Sequence, residues 1–318
     1  MKRVLVIGGS YFIGKAITKE LQNNGYEVTL LNRGSRLVEG TKQLSCDRND
    51  EKAMKSVLES KVFDHVVDVS GLNKEQVQTV CNFIDMSELK NMVFISSSAV
   101  YDVEHLKARF CEQDRLKENR FWGQYGTDKI EAERMYRQSM EKNQIPLIIL
   151  RPPYVYGEEN YAQRESFIFE HILQKRPVIL PSTNKKLQFI YAKDLAVIVR
   201  KMLEKESSGS EIYNVGNRQY VTAKEWVQLC AQAVGKQVEI VNFDYKGYSR
   251  NVREFFPFHD YDNVLNVDKI QQILNIEETD MLTGLENTYQ WFLKERLQIS
   301  WKEEVRRAEA EILKEMEL

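Results

Sequence analysis

Tyr125 and Lys129 stand four residues apart at the start of a helical stretch that runs to about Lys142, so both project from one face of it. A phenol with an ordinary pKa of about 10 is a poor base at neutral pH, and an ammonium one turn away favours its phenolate. The serine triplet Ser96-Ser97-Ser98 closes the apolar run 91–96. A hydroxyl there can donate to an oxygen on which charge develops. A third group, Gly8-Gly9-Ser10-Tyr11-Phe12-Ile13-Gly14, follows the short apolar run Arg3–Ile7. Such a turn between strand and helix lets backbone N–H groups face a pyrophosphate, aided by the positive end of the helix. Read alone it is equally a tight turn, because Tyr11 occupies a position where glycine is usual.

The elements that must position these groups alternate along the chain. Strands are predicted at 3–7, 27–31, 44–46, 63–70, 91–96 and 146–150, separated by the glycine-turn helix and by helices at 52–58, 74–86 and 125–142. The pattern implies an α/β fold: a Rossmann-type, doubly wound parallel sheet with right-handed crossovers. Glycine turn and serine triplet both lie at carboxyl ends of strands, where such sheets bind ligands, so they are expected to share one crevice.

Beyond Gly157 the alternation loosens, with helices at 167–175, 193–203, 222–234, 267–274 and 281–295 and short strands at 177–180, 187–191, 211–215 and 238–243. Thr222 with Glu225 reads as a capping box. Residues 1–150 are expected to form the dinucleotide-binding domain and 151–300 a smaller, partly interleaved α/β substrate domain. The stretch 301–318 reads as a charge-rich terminal helix with apolar residues at Val305, Ala308, Ile312 and Met316. Its polar face suits solvent or, alternatively, a partner helix.

Two positions bear on the choice of dinucleotide. After the second strand, Asn32 supplies no carboxylate for ribose hydroxyls and Arg33 supplies a cation, which tilts NAD(P) recognition towards NADP. Asp47 can accept from an adenine amino group or cap the helix that follows; both readings stand.

Composition narrows the class. The chain has 318 residues, 42% hydrophobic and 29% charged, with a net charge of −2, and its pI is about 6.2. No global field attracts nucleic acid or an anionic membrane. Cys46, Cys81, Cys111 and Cys230 are scattered without a C-x-x-C pair, so no metal site or redox pair is expected, and reduced thiols fit a cytoplasmic setting. Lys2 and Arg3 precede an apolar run that glycines interrupt within five residues, which does not suit a signal peptide. No apolar stretch reaches membrane-spanning length.

Taken in order, the glycine turn, serine triplet, Tyr-x-x-x-Lys and Arg151-Pro152-Pro153-Tyr154-Val155-Tyr156-Gly157 resemble the extended short-chain dehydrogenase/reductase family of nucleotide-sugar epimerases and dehydratases. The similarity runs to about Phe292 through Gln188–Ala196 and Ile212–Gly216. It is nearest to an atypical, NAD-dependent epimerase/dehydratase-like subgroup whose middle glycine is also replaced. The resemblance implies hydride transfer at a carbinol carbon of a small, nucleotide-sugar-like substrate. Tyr125 would be the base, and Lys129 would hold the nicotinamide ribose. Ser97, four before Tyr101, would be the hydroxyl donor, with Ser98 and Ser96 as alternatives. Relatives that eliminate water carry an Asp-Glu pair after the serine or threonine; Ser98 and Ala99 stand here, which disfavours a 4,6-dehydratase. Arg250 and Arg253 are either a clamp for a substrate diphosphate or surface residues. Many relatives form homodimers, and one is expected here. Some relatives with an altered glycine motif bind nucleic acid, so the alternative is an inactive scaffold serving as an RNA-binding or dinucleotide-sensing regulator.

Overall fold

The computed structural model describes residues 1–248, 250–295 and 303–316. The first half is β1 (Arg3–Ile7), α1 (Phe12–Asn23), β2 (Glu27–Asn32), β3 (Lys42–Ser45), α2 (Glu51–Leu58), β4 (His65–Asp68), α3 (Lys74–Phe83), β5 (Asn91–Ile95), α4 (Gln124–Lys142) and β6 (Leu147–Arg151). These strands lie parallel in the order β6-β5-β4-β1-β2-β3. Strand pleating sorts the side chains. Val4 and Val6 point into a core with Ile17, Leu21 and Val199, whereas Leu5 and Ile7 point into one with Met54, Val80 and Met140. Both faces are covered along β1, β2, β4, β5 and β6, which is why these strands read as largely apolar runs, whereas the edge strand β3 is only partly covered.

The second half contains β7 (Tyr154–Tyr156), α5 (Arg164–Gln174), β8 (Val178–Pro181), β9 (Lys186–Tyr191), α6 (Ala192–Glu204) and β10 (Ser210–Asn214). It continues with β11 (Tyr220–Thr222), α7 (Ala223–Val234), β12 (Ile240–Phe243), α8 (Asp268–Leu274), α9 (Met281–Glu295) and α10 (Glu303–Glu315). β10 pairs in parallel with β6, giving the main sheet its seventh strand, and α6 packs beside α1. The remaining strands form a three-stranded sheet, β11-β9-β7, and a parallel pair, β12-β8. They enclose a separate aromatic core in which Phe189 and Trp226 stack at 3.6 Å. β7 and β11 were not anticipated, since three residues are too few for a period to show.

Thr222 and Glu225 form the expected capping box. Of the expected terminal helix 301–318, residues 301, 302, 317 and 318 lie outside the described residues. In α10, Ala308 and Ile312 are buried against this chain, with Val305 and Met316 packed beside them. Glu309 meets His171 at 2.8 Å and also pairs with Arg176. The apolar stripe is therefore covered within the molecule. Among the described residues no helix is long and apolar enough to cross a membrane.

Candidate functional site

The sheet order turns between β1 and β4, and the loops leaving their carboxyl ends open a crevice of about 490 Å³. Gly8, with φ of 84°, makes the turn, and a Cβ on it would lie 2.6 Å from Ser70. Gly14 is required for another reason: its Cβ would sit 2.1 Å from the Gly8 carbonyl oxygen. Gly8, Ser10 and Tyr11 line the crevice. Gly9 packs against Leu30, Thr18 and Val6, while Phe12 is buried and Ile13 packs on the core. Tyr11 does not close the site. Its ring is held between the Arg36 guanidinium, 3.9 Å from the ring centre, and Tyr161, stacked at 6.0 Å.

Asn32, Arg33, Arg36 and Asp47 line the same crevice. Asn32 Oδ1 accepts from the Gly34 N–H at 2.7 Å and from Gln43 at 2.8 Å, leaving Nδ2 buried without a partner. The helix cap is Asp50, which accepts from Lys52 and Ala53. Asp47 forms a local turn, accepting from the backbone and side chain of Asn49.

Ser97 and Tyr125 are brought together by β5 and the start of α4. Burial of the Tyr125 hydroxyl pushes its pKa up, and the neighbouring Ser97 hydroxyl opposes this by favouring the phenolate. Tyr161 also raises the Tyr125 pKa, and Arg164 lowers it. Tyr125 as a residue remains 38% exposed, and neither it nor Ser97 is among the residues lining the 490 Å³ crevice, so the glycine turn and the serine loop do not share one pocket wall. Ser97 Oγ also accepts from the Ala99 N–H at 3.1 Å. Ser96 is engaged elsewhere, donating to Glu133 at 2.5 Å, and Ser98 is buried near Tyr261.

Lys129 turns inward. Its Nζ donates to the carbonyls of Gly71 at 2.7 Å and Ile95 at 2.9 Å, and it lies 4.8 Å from the centre of the Phe94 ring. Burial lowers its pKa to about 8, partly opposed by Asp68. Arg164, which nothing in its sequence neighbourhood marks out, is a further cation whose charge lowers the Tyr125 pKa.

The helix carrying these groups is anchored from beneath. Arg151 donates to Glu133 from Nε at 2.9 Å and from Nη2 at 2.5 Å, and to the Tyr101 hydroxyl at 3.1 Å. Tyr101 in turn donates to Asn214 of β10 at 2.6 Å. Gly126 brings α4 close to the serine loop, since a Cβ there would lie 2.7 Å from the Ala99 carbonyl oxygen.

The two candidate substrate arginines separate. Arg250 pairs with Glu311 at 3.0 Å and Glu315 at 3.1 Å on α10, so it docks that helix and does not form a clamp with Arg253. Arg253 lies instead near Arg164: burial and then the Arg164 charge lower its pKa. Arg253 donates to the Pro257 carbonyl, and Arg164 lies 5.0 Å over the Tyr154 ring with its charge felt by the buried Glu165, while Arg164 Nε is buried without a partner. Burial and these two cations push His259 down to about 3, so it is neutral. His259 packs on Trp122 at 4.6 Å, and Trp122 lies 5.7 Å from Tyr125. From there a cleft of about 1030 Å³ opens past Phe121, Tyr261, Arg120 and Lys185.

Comparison with known proteins agrees with this architecture. A sequence profile of the NAD-dependent epimerase/dehydratase family matches residues 4–216. The chain is 28% identical to the chloroplast stem-loop binding protein of 41 kDa b from Arabidopsis thaliana, over 91% of this chain and 78% of that one. Its fold is similar to UDP-glucose 4-epimerase from Thermotoga maritima with UDP-glucose, at a TM-score of 0.75 and 18% identity, covering 92% and 99% of the two chains. It is also similar to dTDP-glucose 4,6-dehydratase from Bacillus anthracis in complex with NAD, at a TM-score of 0.74 and 18% identity, covering 96% and 100%. With the parallel sheet, the glycine turn at its switch point and a profile match over most of the length, the chain belongs to the NAD-dependent epimerase/dehydratase family.

Proposed function

We propose that this chain is an NAD(P)-dependent oxidoreductase or epimerase acting at a carbinol carbon of a small, anionic substrate of the nucleotide-sugar kind. The observation that carries the reading is the close packing of the start of α4, with Tyr125, on the serine loop after β5, with Ser97, in the same sheet whose glycine turn after β1 opens the 490 Å³ crevice. The crevice suits a dinucleotide: Asn32 Nδ2 and Arg48 Nε are buried in its wall without partners. Gly8, Ser10 and Tyr11 would hold the pyrophosphate, and Asn32, Arg33 and Asp47 the adenosine. Arg33 and Arg36 together favour a 2′-phosphate, hence NADP.

Bound NAD(P) supplies the hydride acceptor or donor. Tyr125 takes the proton from the substrate hydroxyl, and Ser97 donates to the substrate oxygen as charge develops on it. Arg164 stabilises the phenolate. An ammonium has three N–H groups and two of those on Lys129 are used on carbonyls, which leaves one for a ribose hydroxyl. Arg164 and Arg253, two neighbouring buried cations beside His259, suit an anionic group on the substrate.

A second reading has one specific support: a relative at 28% identity is named as a stem-loop binding protein. It would make the same scaffold an RNA-binding or dinucleotide-sensing protein. Fluorescence titration with NADPH and NADH, followed by titration with a stem-loop RNA, separates the two. Micromolar-range nucleotide binding with weak RNA binding is expected. RNA binding with a steep salt dependence and no response to either nucleotide reverses the assignment.

A further inference from the structure

Arg48 is only 8% exposed yet belongs to the crevice wall, between Asp47 and Asn49. Its guanidinium grips the fully buried Asp68 at the end of β4, Nη1 to Oδ1 at 3.0 Å and Nη2 to Oδ2 at 2.8 Å. It also donates to Ser70 Oγ at 3.0 Å and to the Gln76 carbonyl at 3.2 Å, while Nε has no partner. Asp68 Oδ1 in turn accepts from the backbone N–H groups of Ser70 at 3.0 Å and Gly71 at 2.8 Å. The carbonyl of that same Gly71 receives the Lys129 ammonium at 2.7 Å. No side chain fits at residue 71, because a Cβ would lie 2.5 Å from Asp68 Oδ2.

We propose that Arg48 and Asp68 are positioning residues for Lys129, fixing its ammonium through the Gly71 peptide and making it responsive to what occupies the adenosine end of the crevice. The relay has three links. Arg48 orients the Asp68 carboxylate, the carboxylate holds the 70–71 turn by two N–H groups, and the turn presents one of the two carbonyls that hold the ammonium. Charge follows the same path. Asp68 favours the ammonium form of Lys129 and Arg48 opposes it, with Glu133 a smaller favourable neighbour. Around them stand Arg151, paired with Glu133, Tyr136, which donates to Asp68 Oδ2 at 2.5 Å, and the Cys81 thiol near Asp68. A ligand phosphate or ribose drawn to the unpartnered Arg48 Nε changes the share of Arg48 that Asp68 retains. Lys129 then feels the ligand without touching it. A pair acting on Lys129 by charge alone would move its titration midpoint and leave the Gly71 amide resonance where it is, whereas loss of the relay moves both.

The inference rests on the dinucleotide reading only for the occupant of the crevice. Its test is lysine Cε–Nζ NMR on the full chain without substrate, with Lys129 assigned by the signal lost in Lys129→Arg. Asp68→Asn should lower the Lys129 titration midpoint and Arg48→Gln should raise it, each by about one pH unit. Should either variant fail to fold, the wild-type protein provides the second measurement: saturating ADP, which has no nicotinamide, should move the Lys129 signal. Midpoints that shift together or stay put, a Gly71 amide resonance that stays put in both variants, or a Lys129 signal unmoved with ADP bound, overturn the positioning role. Absence of ADP binding overturns the dinucleotide reading and the response to an occupant, while the two variant midpoints still decide whether Arg48 and Asp68 govern Lys129.

Discussion

Arg151 Nη2 meets Glu133 Oε2 at 2.5 Å in a buried ion pair that ties the end of β6 to the middle of α4. Because Tyr125, Lys129 and Glu133 recur at four-residue intervals, this pair fixes the rotation of the helix face that carries the chemistry. Glu133→Ala would leave a buried guanidinium uncompensated, and a loss of about 3–5 kcal/mol is expected in urea unfolding. A loss below about 1 kcal/mol would show that α4 is held by its apolar contacts alone.

Tyr125→Phe removes the only proton acceptor proposed for the substrate hydroxyl. Turnover should fall by roughly 10²–10⁴-fold with NADPH affinity unchanged by fluorescence. Ser97→Ala should also lower kcat, and it should raise the pH at which activity reaches half its maximum, because the neighbouring Ser97 hydroxyl favours the phenolate. Retained turnover in Tyr125→Phe removes the phenol from the mechanism.

Arg33→Asp places a carboxylate where ribose hydroxyls are expected and should shift preference from NADPH to NADH by roughly tenfold or more. Arg36→Ala should weaken NADPH binding and free the Tyr11 ring, which now lies 3.9 Å below that guanidinium. An unchanged NADPH/NADH ratio in both variants would show that neither arginine reads the 2′-phosphate.

Glu165 gives a pH dependence of known sign. Burial raises its pKa to about 7; Oε2 accepts from Asn160 at 2.7 Å and Oε1 has no partner. The folded state thus holds a proton that the unfolded chain has released between about pH 4.5 and 7, so this group's contribution to stability falls as pH rises through that window. Glu165→Gln keeps the shape without the charge. It should match the wild type near pH 4.5 and exceed it by up to about 3 kcal/mol at pH 8. Equal midpoints at both pH values would mean the carboxyl is not constrained as described.

Helix α10 is held in two ways of unequal strength. The Arg250 pairs with Glu311 and Glu315 lie at the surface, so Arg250→Ala should cost about 1 kcal/mol or less. Glu309 is buried against His171 and Arg176, and Glu309→Ala should cost several-fold more. Hydrogen exchange of residues 303–316 reads the difference, and equal effects would place the anchor elsewhere.

What could be read without coordinates was whatever repeats or punctuates. Gly8 and Gly14 mark a turn because no side chain fits there, Thr222 and Glu225 mark a helix start, and the apolar runs mark strands covered on both faces. Contacts between distant segments left no such trace. Arg164 looks like any helical arginine until folding sets it over Tyr154 within reach of the Tyr125 charge, and Arg48 looks like a loop residue until it meets Asp68 across twenty positions. Arg250 sat in a basic, aromatic stretch that suggested an anion, yet its partners are glutamates on a helix sixty residues away. Periodicity reports which face of an element is covered; it does not report which cation answers which anion.

The place of β10 limits how the molecule can be cut. That strand comes from residues 210–214, yet it covers the outer edge of β6, and Asn214 closes the bonds that steady Tyr101. A fragment ending near residue 150 would present β6 as a bare, apolar margin ready to pair with another copy, while Tyr101 lost its acceptor. Miniaturised or split versions should therefore keep the chain to Asn217, or supply β10 as a separate peptide.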